Sequence, residues 1–271
     1  MPAECQIRVH GDATLPTLIY LPGLHGDWTL VSSFRAAAAG RVRFLEFAYS
    51  LNPHATLDDY ANDVLTALNR HAVTDGWLLG ESFGSQIAWA LLQRNGAAPP
   101  NGPGIQHPAS GITFHGLVLA GGFVQHPWPW GAQLLRWQTA RTPGWLLQRL
   151  LIGYERYAGF RHRHAPETRA SIREFVERRR APGDAEAIQA RLKLIAGNDP
   201  RPIARCVTQP VHYLAGLVDP LVPFPLVRHW LRRHCPGYRG GVTVWNADHN
   251  ILATQPARSA AFVLKCMAAR R

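Results

Sequence analysis

One stretch limits what this chain can fold into more than any other: Trp77-Leu78-Leu79-Gly80-Glu81-Ser82-Phe83-Gly84-Ser85-Gln86-Ile87-Ala88-Trp89-Ala90-Leu91-Leu92. The apolar run over 76–79 reads as a buried strand, and Ile87, Ala88, Leu91 and Leu92 have the spacing of one helix face. The Gly-x-Ser-x-Gly segment between them reads as a sharp strand-to-helix turn with Ser82 at its apex. Strand and helix start pass so close beside such a turn that a Cβ at Gly80 or Gly84 would collide, and the apex backbone is strained. This geometry exposes Ser82 Oγ and leaves the amide of Phe83 free to donate to a developing oxyanion. The pentapeptide alone also fits an ordinary glycine-rich turn with a solvated serine; the flanking strand and helix patterns make Ser82 a nucleophile candidate.

The rest of the chain alternates in the same way. Strand patterns cover 17–21, 42–47, 113–120, 210–216 and 241–245, with a weaker one over 5–9. Helical spacing covers 34–39, 57–71, 225–234 and 257–269, and Thr56 is placed to cap the second of these. Alternation of this kind implies βαβ units and a mostly parallel sheet flanked by helices. Residues 95–111 read as a punctuated surface loop. The pattern changes between 123 and 200, where helix-like segments over 131–139, 145–157, 168–179 and 184–196 have no convincing strand among them. We therefore expect a core of residues 1–122 and 201–271, interrupted by a helical cap over 123–200. Trp128, Trp130, Trp137 and Trp145 read as the core of this cap. The run containing Arg161, Arg163, Arg169, Arg173 and Arg178 to Arg180 reads as its solvated face.

Composition narrows the function classes. With 271 residues, 46% of them apolar and 10% aromatic, the chain is globular rather than disordered. Its first residues lack the basic start and apolar core of a signal peptide, and no run of about 20 apolar residues suggests a membrane span. Cys5, Cys206, Cys235 and Cys266 are scattered, which suits reduced thiols in a cytoplasmic protein and neither a disulfide framework nor a zinc site. The net charge of +11 comes almost entirely from arginine, since Lys193 and Lys265 are the only lysines. No nucleic-acid motif accompanies the charge, so we expect no nucleic-acid partner.

A serine hydroxyl needs a base within hydrogen-bond reach, and the base needs a carboxylate to hold its tautomer. Among 13 histidines, His249 follows a strand at the last strand-to-helix turn, and Asp219 sits just past a strand end, with Pro220 and Pro223 rigidifying its loop. In a parallel sheet both loops share the edge that carries Ser82. Asp248 and Asp199 remain rivals for the acid. Glu81 reads as a structural carboxylate, His25 as a loop-capping histidine, and Ser85 as the first residues of the helix.

The order Ser82, Asp219, His249, together with the Gly80–Gly84 turn, resembles the α/β-hydrolase superfamily in its serine-hydrolase branch, with residues 123–200 standing where that family places a variable cap. The resemblance implies that Ser82 is the nucleophile, His249 the base and Asp219 its orienting acid. It also matches Pro22-Gly23-Leu24 to the family's oxyanion loop, which would make the Leu24 amide the second donor beside Phe83. Here proline replaces the family's first histidine, and a second His25-Gly26 follows two residues on. The implied activity is hydrolysis of a carboxylic ester or related acyl compound of small, apolar type, with no metal or organic cofactor. An acyltransferase, a carbon–carbon bond hydrolase or lyase, and a non-catalytic ligand-binding member of the fold stay open as alternatives. Substrate identity and oligomeric state are not legible.

Overall fold

The computed structural model of the chain describes residues 4–96, 111–142, 149, 152–153 and 166–269. The elements run β1 (Gln6–His10), β2 (Thr17–Leu21), α1 (Ser32–Ala38), β3 (Arg43–Ala48), α2 (Leu57–Arg70), β4 (Asp75–Glu81), α3 (Gly84–Arg94) and β5 (Thr113–Ala120). Among the described residues four helices follow, α4 (Pro129–Arg141), α5 (Pro166–Arg179), α6 (Asp184–Gly197) and the short α7 (Arg201–Ala204). The chain closes with β6 (Val211–Gly216), α8 (Phe224–His234), β7 (Tyr238–Val244), α9 (Ile251–Thr254) and α10 (Pro256–Ala268). Most of the helix expected over 145–157 and most of the loop expected over 95–111 lie outside the described residues, as do Trp145, Arg161 and Arg163.

The seven strands form one sheet in the order β1-β3-β2-β4-β5-β6-β7. Among the described residues only β1 runs antiparallel, paired with β3 from Gln6 opposite Ala48 to His10 opposite Phe44. All other pairings are parallel, which needs a crossover between strands and accounts for the strand–helix alternation of the sequence. Parallel strands are covered on both faces, and the core accordingly lies in two layers. One layer packs Ile19, Leu78 and Leu119 against α2, α3 and α8; the other packs Tyr20, Leu79 and Val118 against α1 and α10. Helix α3 is buried along nearly its whole length, and its buried polar residues are satisfied by the backbone: Gln86 donates to Val124 O and Arg94 to Ala90 O. Helix α2 is half-exposed, and its Thr56–Asp59 capping box satisfies the first-turn amides reciprocally.

Between β5 and β6 the insertion differs from expectation in two ways. Trp130 and Trp137 are 64% and 53% exposed, and Trp128 is exposed as well, so these tryptophans do not form a core for the inserted helices. Trp128 stacks instead on Trp130, and the Arg141 guanidinium on Trp137. The arginines are not uniformly solvated either. Arg179 is buried against Asp27 and Asp184, at 2.7 and 3.0 Å, and Arg191 has no exposed surface. The physical reason is that α5 and α6 lie against loops of the core, where their arginines find carboxylates and backbone carbonyls.

Candidate active site

Strand β4 lies mid-sheet, so the turn at its carboxyl end opens at the centre of the sheet edge. Ser82 takes a left-handed φ of +48°, strained for a residue with a Cβ, and its amide donates to Ala120 O at 3.1 Å. The flanking glycines are sterically required. A Cβ on Gly84 would stand 2.0 Å from Leu21 O, and one on Gly80 would stand 3.0 Å from Ser85 Cα. The close approach at Gly84 presses the start of α3 onto the end of β2 and brings the loop after β2 beside the serine. A Cβ on Gly23 would lie 3.3 Å from Ser82 Cβ.

The other two loops converge on the same point. His249 Nε2 is 2.8 Å from Ser82 Oγ, and His249 Nδ1 is 2.8 Å from Asp219 Oδ2. The second Asp219 oxygen accepts the amides of Leu221 and Val222 at 2.8 and 3.0 Å, which fixes the carboxylate in its loop. Burial alone would raise the Asp219 carboxyl; the hydrogen bond and charge of His249, with the two loop amides, outweigh it and leave it below the ordinary value. A Cβ on Gly216 would sit 2.2 Å from Asp248 O, and one on Gly121 would sit 3.3 Å from His249 Nδ1, so two further strand ends admit the histidine loop only as glycine.

The rival groups point elsewhere. Asp248 accepts from the Asn250 amide at 2.9 Å at the start of α9, and Asp199 pairs with Arg201 at 2.6 Å. Glu81 accepts a hydrogen bond from the buried Tyr20 hydroxyl. Ser85 Oγ lies 2.6 Å from Ser82 O and accepts from Phe123 N at 3.1 Å, turned away from the site. His25 does not act as a cap through Nε2, which is buried without a partner among the described residues, and burial lowers its pKa. The amides of Leu24 and Phe83 have no hydrogen-bond acceptor among the described residues.

A cavity of about 400 Å³ opens over Ser82 and His249, walled by Leu24, Phe123, Trp128, Leu192, Ile195 and Val222. Among the described residues no group of three or more His, Cys, Asp or Glu side chains could hold a metal ion, and no helix is long and apolar enough to cross a membrane. Arg179 and Arg191, which hold the loop beside Ser82, are the residues that sequence reading missed. Arg191 had one signal: it falls on the same α6 face as Ala187, Leu192 and Ile195, an arginine in an apolar stripe.

A strained serine after a central parallel strand is thus joined by hydrogen bonds to a histidine and a carboxylate from later loops. The sequence matches the model of the alpha/beta hydrolase family over residues 10–262, and the chain belongs to that family of hydrolytic enzymes. Solved structures agree in fold. An enol-lactonase from Burkholderia xenovorans superposes with a TM-score of 0.70 at 17% identity, covering 97% of this chain and 96% of its own. A thermophilic esterase from Thermogutta terrifontis gives 0.68 at 18% identity, with 98% and 93% covered. An E-2-(acetamidomethylene)succinate hydrolase gives 0.68 at 17%, with 97% and 94% covered. The search of curated proteins gives no significant match.

Proposed function

We propose that the protein hydrolyses a small carboxylic ester or related acyl compound through a Ser82–His249–Asp219 triad. The observation that carries this reading is the unbroken hydrogen-bond chain from Asp219 through His249 to Ser82 Oγ at the floor of an apolar cavity. Ser82 Oγ attacks the acyl carbonyl as its proton passes to His249 Nε2, and Asp219 stabilises the imidazolium without taking the proton. The carbonyl oxygen gains charge where the Leu24 and Phe83 amides can donate to it, the largest expected source of rate acceleration. His249 then protonates the leaving group as the carbon–oxygen bond breaks, leaving an acyl-enzyme. Water, deprotonated by His249, attacks the acyl carbon and restores Ser82. The sequence of steps needs no cofactor.

The helices inserted over 123–200 act in this reading as a cap whose inner side chains, Trp128, Leu192 and Ile195, exclude water and contact the apolar part of the substrate. Each methylene buried there adds at most about 0.8 kcal/mol. A panel of nitrophenyl esters of graded acyl length tests the reading, with Ser82→Ala as the blank. Rising kcat/KM over short to medium acyl chains supports it. A flat profile removes the apolar pocket, and activity that survives Ser82→Ala removes the nucleophile.

A further inference from the structure

The loop after β2 has an unusual property: five consecutive backbone carbonyls are all occupied. Pro22 O accepts from the Tyr49 hydroxyl at 3.3 Å, Gly23 O from Gly26 N at 2.9 Å, and Gly26 O from Tyr49 N at 2.8 Å. The two between them are taken by arginines of the inserted helices. Arg191 Nη1 donates to Leu24 O at 3.1 Å, and Arg179 Nη1 donates to His25 O at 2.7 Å. Arg179 is held in turn by Asp27 and Asp184, and Arg191 by Tyr60 Oη and Ser50 O, each at 3.3 Å.

The peptide plane makes this placement consequential. In a trans peptide the C=O and the following N–H point in opposite directions, so anchoring Leu24 O orients the His25 amide, while the Leu24 amide shares its peptide with Gly23 O, which accepts from Gly26 N and is fixed only as long as the turn keeps its type. Residues 23–26 form a turn closed by the Gly23–Gly26 hydrogen bond. The central peptide of such a turn, Leu24–His25, is the one that rotates when a turn changes type, and its rotation changes the backbone dihedrals of Leu24 and His25. Arg191 grips that peptide and Arg179 grips the next. Gly26 is the space that admits the grip: at its φ of +77° an added Cβ would stand 2.3 Å from Arg191 Nη1. Burying a guanidinium completely is costly unless its donors are satisfied, so an apolar residue would fill this position on α6 more cheaply if packing were its only task.

We propose that Arg191, seconded by Arg179, is a positioning residue of the oxyanion hole: the inserted helices lock the turn that presents the Leu24 amide to the reacting carbonyl beside Ser82. The proposal rests on the hydrolase reading given above. It makes α5 and α6 part of the catalytic scaffold, and it means that loosening them slows chemistry as well as opening the cavity.

The test uses the full chain with Arg191→Met, which keeps much of the side-chain bulk and removes the donors, and with Arg191→Lys, which keeps the charge but cannot reproduce the fork. Five quantities are compared with the parent protein. These are kcat and KM on the best nitrophenyl ester, affinity for a boronic acid that forms a tetrahedral adduct on Ser82, melting temperature, and hydrogen exchange of the 23–27 amides. Losing an oxyanion donor outright costs about 100- to 1,000-fold in kcat, so displacing one should cost part of that, about 10- to 100-fold. The expected result is that loss in kcat with KM changed less than about threefold, a parallel loss of boronate affinity, and faster exchange in the loop. A merely structural arginine would lower the melting temperature and leave kcat and boronate affinity of the folded protein within twofold, which would overturn the proposal. If Arg191→Met does not fold, Arg191→Lys and Arg179→Lys carry the same comparison. If the parent protein neither turns over esters nor reacts with a fluorophosphonate, the hydrolase reading fails. The clamp itself is then decided by exchange alone, and unchanged exchange in the variants would refute it.

Discussion

Helices α4 and α6 belong to the same insertion and pack on each other, yet they are built on opposite principles. Helix α6 turns Ala187, Leu192 and Ile195 inward and spends a wholly buried arginine on the core's loop. Helix α4 presents Trp130, Leu134 and Trp137 to solvent and has Arg141 stacked on its last tryptophan. Helix α5 sides with α6: Glu174 accepts from Trp28 Nε1 and pairs with Arg8 and Arg178, both of which stack on Trp28. One end of the insertion is thus fastened to the site and the other forms an apolar rim. An insertion of this kind does not act as a single lid, and changes in α5 and α6 should reach the chemistry while changes in α4 reach only substrate selection.

The sharpest contrast lies within the site that both ends surround. Asp219→Asn should lower kcat on the order of 10,000-fold, because His249 loses the partner that fixes its tautomer. Asp248→Asn, whose carboxylate accepts only from the Asn250 amide and the Thr254 hydroxyl, should stay within about tenfold. Steady-state kinetics on the two folded variants decide this, and a reversal of the order would move the acid.

On the fastened side, Gly26→Ala should be damaging out of proportion to one methyl group, since it collides with Arg191 and strains a left-handed residue. A loss of about 2–4 kcal/mol in denaturant unfolding, with a fall in kcat, is the expected outcome. Gly40→Ala offers a control at a left-handed glycine with open space around it and should cost only about 1 kcal/mol. Equal losses at the two positions would remove the packing argument for Arg191.

The ion cluster behind the loop gives a smaller effect with a definite sign. Burial pushes the Asp184 carboxyl up to about 6, against the pull of Arg179 and Arg191. A carboxyl raised in the folded state binds protons that the unfolded chain has released, so its contribution to stability falls as pH rises from about 4 to 6 and stays lost above that. Asp184→Asn removes the titration, so its melting temperature relative to the parent should be more favourable near pH 7.5 than near pH 4.5. For a domain of this size the difference should amount to a few degrees, at about 2–4 °C per kcal/mol. The opposite trend would mean that the pair with Arg179 outweighs burial.

On the rim side, Trp130→Ser should change stability by less than about 0.5 kcal/mol, as expected for an exposed position. It should raise KM for the longer esters and leave kcat on acetate esters unchanged. A fall in kcat comparable with that of the Arg191 variants would erase the distinction between the two ends.

Sequence reading reached the sheet edge well because it depends on order and punctuation. Ser82, Asp219 and His249 each follow a parallel strand, and parallel strands put their following loops on one edge. The structure places the three within hydrogen-bonding reach. The strands at 17–21 and 113–120 were legible to the residue, the first from the apolar run 18–21 and the second from the apolar run 117–120 closed by Gly121-Gly122. The insertion was legible only as helices. Periodicity assigns an arginine to the wet face and a tryptophan to the dry one, and here tertiary packing inverts both. Arg179 and Arg191 find buried carbonyls on a loop more than 150 residues earlier in the chain. Helices α7 and α9, four residues each, are too short to display a period at all.

The central claim is that Ser82 is an activated nucleophile, and covalent labelling by a fluorophosphonate tests it most directly. The account predicts one label per chain, carried by the peptide containing Ser82 in mass spectrometry. It should be abolished in Ser82→Ala and slowed by orders of magnitude in His249→Ala. Labelling that persists undiminished in Ser82→Ala, or a parent protein that folds and takes no label, would contradict it.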